Sequence, residues 1–264
     1  MMREGKEGES PNSTTSSSYT LQPIRFFNED ILFCIDVDFE SQTEMKVSGP
    51  NGRPFTRLES IKQAILLFIN AKLAINPDHR FAFACLGQSA SLHRKEFSNK
   101  VESAIPVLRA ITASSSSYGQ ADLTQLFRLA AHEAKKSRGQ SRILRVILMY
   151  CRSSVPPSYH WSGNQKLFTL DVMYLHSKPS PGNCPQKVYD ALVDALENVS
   201  EYEGYILESG QGLTRLLFRD MCLLLSHPQQ RCLQDEIDFP KSLARKPPPA
   251  DPTPIEENFS TPSQ

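Results

Sequence analysis

The sequence carries no excess of either charge. Its 29 basic and 29 acidic side chains cancel at pH 7, so no global field gathers a phosphate backbone, and a primary role in binding nucleic acid is disfavoured. Long apolar runs are missing as well. Those present, among them Ile65 to Ile69, Val146 to Cys151 and Met221 to Leu225, fall far below the roughly 20 residues that span a bilayer, so the chain is expected to be soluble and to act away from membranes. Met1 to Ser18 are polar and Ser-rich without the apolar stretch of a secretory signal, which argues against export. The six cysteines form no C-x-x-C pair and have no histidines at zinc spacing. Cys34, Cys85 and Cys151 lie in or at the end of apolar runs, as reduced core thiols do, and point to a reducing compartment, nucleus or cytoplasm. Neither G-x-G-x-x-G nor G-x-x-x-x-G-K-[ST] occurs, so a nucleotide-using enzyme would lack its phosphate cradle.

What is present is an alternation of strands and helices. With 264 residues and 39% apolar content, the chain can bury one full core, flanked by tails. The expected order begins with a strand at Ile31 to Val37 and a Gly/Pro loop at Ser48 to Pro54. A helix to about Leu73 follows, its start marked by the capping-box spacing of Thr56 and Glu59. A strand at Arg80 to Leu86 and a short partner at Ser89 to His93 come next. The helix at about Asn99 to Ala110 is expected to kink or end early at Pro106. A helix with Leu123, Leu126, Phe127, Ala130 and Ala134 on one side precedes the near-continuous apolar strand Arg142 to Tyr150, which belongs near the middle of a parallel sheet. A strand at Leu167 to His176, a helix marked by Val188, Leu192, Leu196 and Val199, a strand at Tyr202 to Glu208 and a helix from Leu213 to Leu225 complete the series. Such alternation predicts an α/β fold: a doubly wound, mostly parallel sheet with right-handed crossovers. Residues 1–28 are expected to be a disordered arm, 29–234 the domain, and 235–264 a Pro-rich disordered tail.

The chemistry gathers at one strand end. Ile31 to Ile35 lead into Asp36, followed by Asp38 and Glu40, so a buried strand delivers acids to its carboxyl end, where open α/β sheets hold ligands. Arg152, just beyond the central strand, can meet Asp36 or Asp38 with two parallel hydrogen bonds and fill the crevice without metal.

These residues, together with Asp78 to Phe83 and Ser116 to Ala121, resemble the von Willebrand A (VWA) family. The resemblance implies a cation site built from D-x-S-x-S, a later loop Thr and an Asp after the central strand. Here Asp36 matches, Asp38 and Glu40 replace the serines, and Ser116 or Ser117 stands where the Thr belongs. Tyr150-Cys151-Arg152 replaces Thr-Asp-Gly, putting a soft thiol and a fixed positive charge where magnesium needs hard oxygens, so the site is expected to be degenerate and without a cofactor. A metal-dependent, ligand-binding VWA domain is the alternative, and a hydrolytic or nucleotide-using α/β enzyme a third reading.

Three further segments, Arg145 to Arg152, Phe168 to His176 and Leu224 to Arg231, narrow the resemblance to the MERIT-forty family, the VWA-like subunit of the BRISC and BRCA-A deubiquitinase assemblies. It implies a non-catalytic scaffold that holds a ubiquitin-conjugating-like-fold subunit and a JAMM metalloprotease pair trimming sixty-three-linked polyubiquitin in DNA repair and signalling. On its own terms the chain agrees, because a JAMM protease needs H-x-H around zinc and none occurs. Partner-binding candidates are His227, Pro228 and Arg231 after the last helix, Trp161 in a Pro-flanked loop, and Pro248 and Pro249, whose polyproline segment suits an aromatic groove.

Overall fold

The computed structural model describes residues 26–46, 54–162, 166–210, 212 and 214–237. Most of the expected loop at 48–54, almost all of the two tails, and Pro248 and Pro249 lie outside them.

Six strands form one sheet: β1 (Asn28–Asp36), β2 (Arg80–Leu86), β3 (Ala90–Ser98), β4 (Arg142–Tyr150), β5 (Thr169–Leu175) and β6 (Ile206–Ser209). Their spatial order is β6-β5-β4-β1-β2-β3, parallel throughout except for the antiparallel edge strand β3. The winding reverses between β1 and β4, so the crevice beyond their carboxyl ends is the switch point of the sheet. The expected doubly wound architecture is present.

Alternate side chains of the strands go to opposite faces. Ile31, Phe33, Ile35, Ile147 and Met149 meet α1 (Arg57–Ile75), α2 (Val101–Ala110) and α5 (Thr214–Leu223). Leu32, Cys34, Val146, Leu148 and Tyr174 meet α3 (Thr124–Gly139) and α4 (Pro185–Val199). With helices on both faces, β4 is buried along almost its whole length, which accounts for its apolar run.

Local sequence sets most boundaries. Thr56 Oγ1 accepts the Glu59 N–H at 3.1 Å while the Glu59 carboxylate accepts the Thr56 N–H at 2.8 Å, the reciprocal cap read from the sequence. Three expectations need correction. Helix α2 runs through Pro106; Pro106 and Glu102, whose carbonyl loses its donor, are both exposed, so water can replace the missing bond. Strand β3 extends to Ser98, beyond the expected His93, its pairing with β2 carried past two register shifts. Strand β6 begins only at Ile206, because Gly204 packs against the Leu170 carbonyl before the strand sets in. At the two ends of the packed body, the Phe26 ring sits 5.4 Å from that of His227, and the Gln234 side-chain amide pairs with both the N–H and the carbonyl of Ile206.

Candidate functional site

Asp36 closes β1 at the switch point and is fully buried. Arg152, two residues past β4, lies against it: Nε is 3.2 and 3.1 Å from the two carboxylate oxygens, and Nη2 is 3.0 Å from Oδ1. The remaining guanidinium donors go to backbone carbonyls, Nη1 to Gln120 at 2.6 Å and Nη2 to Leu86 and Gly87. Tyr118 and Tyr150 place their rings 5.5 and 5.8 Å from the guanidinium carbon. Both side chains of the pair have no solvent exposure. Burial pushes the Asp36 carboxyl up against the pull of Arg152, and the arginine in turn is held above its ordinary value by Asp36 despite its burial.

The other acids of the motif are equally engaged. Asp38 accepts the Glu40 N–H at 3.0 Å and the Tyr118 N–H at 2.6 Å. Glu40 accepts from the backbone N–H and the hydroxyl of Ser153, at 2.9 and 2.6 Å, and lies 3.6 Å from Arg57 at the start of α1. Arg57 in turn donates to the Cys151 carbonyl at 3.0 Å and to the Ser177 hydroxyl at 3.0 Å. Cys151 contributes its backbone: its N–H donates to Asp36 Oδ2 at 3.0 Å, while the thiol is buried in the core and pushed well up by that burial. The structure therefore brings together Asp36, Asp38, Glu40, Cys151 and Arg152. Ser116 and Ser117 are exposed, and their loop reaches the cluster through the Tyr118 N–H and ring and the Gln120 carbonyl.

This donor set does not fit a divalent cation. Both Asp36 oxygens are taken by the guanidinium and the Cys151 N–H, and the positive charge a metal would bring is already in place. Among the described residues, no group of three or more His, Cys, Asp or Glu side chains is placed to hold a metal. Chemically the crevice is a closed ionic lock joining β1, the loop after β4, the loop around Tyr118 and the start of α1.

A second ionic cluster lies on the α1/α5 side of the sheet. Asp171 of β5 accepts from Arg145 Nε at 2.5 Å, from Arg231 Nη1 at 2.6 Å and from the Tyr205 N–H at 2.8 Å. Arg145 also reaches Glu29 at 3.3 Å, and Lys72 of α1 pairs with the same Glu29 carboxylate. Burial raises Asp171, but Arg145 and Arg231 outweigh it and hold the carboxyl below the usual carboxylate range; Glu29 is held down in the same way by Arg145 and Lys72. The residue roles derived from the sequence missed this cluster. Its signal was there, since Arg145 and Asp171 interrupt two apolar strands, and charges in such strands must find partners.

That cluster corrects the expectations for the segment after α5. His227 is buried, its Nε2 2.9 Å from the Phe27 carbonyl and its Nδ1 accepting the Gln229 N–H at 3.2 Å. Pro228 is buried as well, and the Arg231 side chain is wholly enclosed, 4.3 Å above the Tyr205 ring. These three residues clamp the chain's own C-terminal segment and present no docking surface. Trp161 is half-buried, edge-on to Phe127 and Phe168 at 6.1 and 6.2 Å, so it covers the α3 face instead of projecting from it.

No family model matches the chain. It is similar to "BRISC and BRCA1-A complex member 1" of Xenopus tropicalis, 24% identical over 222 residues that cover 80% of this chain and 69% of that protein. The Xenopus laevis protein of the same name is also 24% identical, with 80% and 67% covered. Among solved structures, the D319A mutant of the PilB minor pilin from Streptococcus sanguinis superposes with a TM-score of 0.50 at 10% identity, covering 77% of this chain and 62% of that one. The SpRpn10 VWA domain gives 0.48 at 13% identity, over 75% and 94%.

Proposed function

We propose, from the premise that this chain is a VWA-like relative of BRISC and BRCA1-A complex member 1, that it is a non-catalytic scaffold subunit of a deubiquitinase complex cleaving sixty-three-linked polyubiquitin in the DNA damage response. Its partners are then the subunits of that assembly: a JAMM-type metalloprotease pair and a subunit of ubiquitin-conjugating-like fold. The nucleus and the cytoplasm are the proposed location.

The observation that carries this reading is the Arg152–Asp36 lock. A doubly wound sheet offers its switch-point crevice to ligands, and here that crevice is filled by the chain's own guanidinium, with each neighbouring acid already bonded. A domain that has closed its ligand crevice retains rigid surfaces, and rigid surfaces serve assembly. The same geometry disfavours the metal-dependent alternative, because a cation would have to displace a buried, multiply bonded arginine.

Purification of the full chain from its own cells, followed by mass spectrometry, tests the proposal. Recovery with a JAMM protease, and loss of complex integrity and chain-cleavage rate when the subunit is left out of a reconstitution, are expected. Recovery as an isolated monomer, or unchanged cleavage without it, would overturn the reading.

A further inference from the structure

At the amino-terminal ends of β1 and β2, away from the closed crevice, a cavity of about 380 Å³ is lined by residues of two kinds. Phe27 and Ile75, 49% and 65% exposed, form an apolar mouth with Leu225, while Lys72 and His79 stand deeper, 1% and 3% exposed. A volume of this size suits a small organic ligand.

His79 brings a donor that has no acceptor among the described residues. Its Nδ1 accepts the Glu29 N–H at 3.0 Å, which puts the ring proton on Nε2. The Glu29 Oε2 oxygen stands 3.7 Å from that nitrogen, outside hydrogen-bond reach, and is engaged by Lys72. A buried N–H left in this state is costly. His227, in the same wall, differs, with one ring nitrogen on the Phe27 carbonyl and the other accepting the Gln229 N–H. Lys72 pairs with Glu29 and lies 3.5 Å from the Leu225 carbonyl, which leaves a third ammonium hydrogen to donate.

Charge points the same way. Lys72, Arg145 and Arg231 bring three positive charges to this buried network and Glu29 and Asp171 two negative ones, so one positive charge is left over. His79 and His227 add none at neutral pH, since burial holds both below their ordinary value. A buried surplus of this kind favours an anion.

We propose that the cavity binds a small monocarboxylic acid with an apolar body, the carboxylate accepting from His79 Nε2 and Lys72 and the body lying against Phe27, Ile75 and Leu225. Donors on two side chains match the two oxygens of one carboxylate, and a single surplus charge matches a monoanion. The apolar mouth disfavours the more strongly hydrated phosphate and sulfate. Such a site is independent of whether the chain serves as a scaffold.

Titration of the full chain with hexanoate, followed through its backbone amide NMR signals, tests the proposal. Saturable shifts gathered in residues 72–79 and 225–230 are expected, with hexanamide, which lacks the charge, and acetate, which lacks the chain, each binding about tenfold or more weakly. Gln230, exposed and lining the same cavity, supplies variants that leave the buried network intact. Gln230→Glu should weaken hexanoate several-fold and Gln230→Lys should strengthen it, both melting close to the parent. Acetate as tight as hexanoate would reveal an unspecific anion site, and hexanamide as tight as hexanoate an apolar pocket only; either result overturns the proposal. So do shifts centred elsewhere, a lack of saturation, or equal affinity in the two Gln230 variants.

Discussion

Arg231 meets Asp171 with both prongs of its guanidinium, Nη1 to Oδ1 at 2.6 Å and Nη2 to Oδ2 at 3.2 Å, across 60 residues of sequence. The pair is wholly enclosed and fixes the segment after α5 to the middle of β5. Arg231→Ala removes one of the two guanidinium groups that neutralise Asp171, and the expected loss is about 3–5 kcal/mol of unfolding free energy in a urea titration. Arg231→Lys restores the charge without the fork and should recover part of it. An alanine variant within about 0.5 kcal/mol of the parent would mean that this contact holds nothing.

At the switch point the prediction concerns coupling. Arg152→Met leaves Asp36 buried without its partner, and Asp36→Leu does the same to Arg152, so each should lose about 3–5 kcal/mol. The double variant replaces a buried ion pair with apolar groups and should lose less than the sum of the singles by at least ~2 kcal/mol. Additive losses would show that the two side chains stand independently. Because the guanidinium holds the Asp36 oxygens, millimolar magnesium should leave the parent's melting temperature unchanged.

How these two ion pairs relate to the sequence differs instructively. Asp36 and Arg152 each follow an apolar run, and neighbouring parallel strands bring such ends together; with the resemblance to the VWA family, which puts both at the cation site, their meeting was legible. Arg231 gave no such indication, because it follows a helix stop and its partner lies inside a strand; only the tertiary path of the segment after α5 joins them. The fold was legible wherever burial on two faces forces an unbroken apolar run, as in β4. It was illegible where a strand is short and its start depends on a packing contact, as with β6 behind Gly204.

That contact yields its own prediction. A Cβ on Gly204 would lie 2.2 Å from the Leu170 carbonyl oxygen and 3.0 Å from the Ser200 hydroxyl, which itself accepts the Leu170 N–H at 2.9 Å. A backbone atom cannot swing away as a side-chain end can, so Gly204→Ala must part β5 from the turn before β6, at about 1–3 kcal/mol or more. Faster amide exchange in β6 should accompany the loss. Gly119→Ala, with nothing within 4 Å of the new methyl, is the control and should change stability by less than about 0.5 kcal/mol.

The last prediction concerns acid. His79 is buried; its Nδ1 accepts the Glu29 N–H at 3.0 Å, so a proton there would face another proton. Burial, with Lys72 adding to it, brings its pKa down to about 4, against about 6.5 in the unfolded chain. Between those values the unfolded state binds the proton and the native state does not, so stability is full above about pH 6.5 and falls as pH drops toward 4. The depressed value amounts to on the order of 3 kcal/mol. Below that window Asp30, held down by Arg80, Ser137 and Arg142 despite its burial, continues the loss; Asp36 and Asp220, pushed up by burial, take up protons already above the usual carboxylate range and offset part of the decline. Urea midpoints at pH 7, 5.5 and 4.5 should therefore decline steadily, and His79→Gln, which keeps an acceptor for the Glu29 N–H, should flatten the decline between pH 6.5 and 4. Parallel declines in parent and variant would place the proton elsewhere.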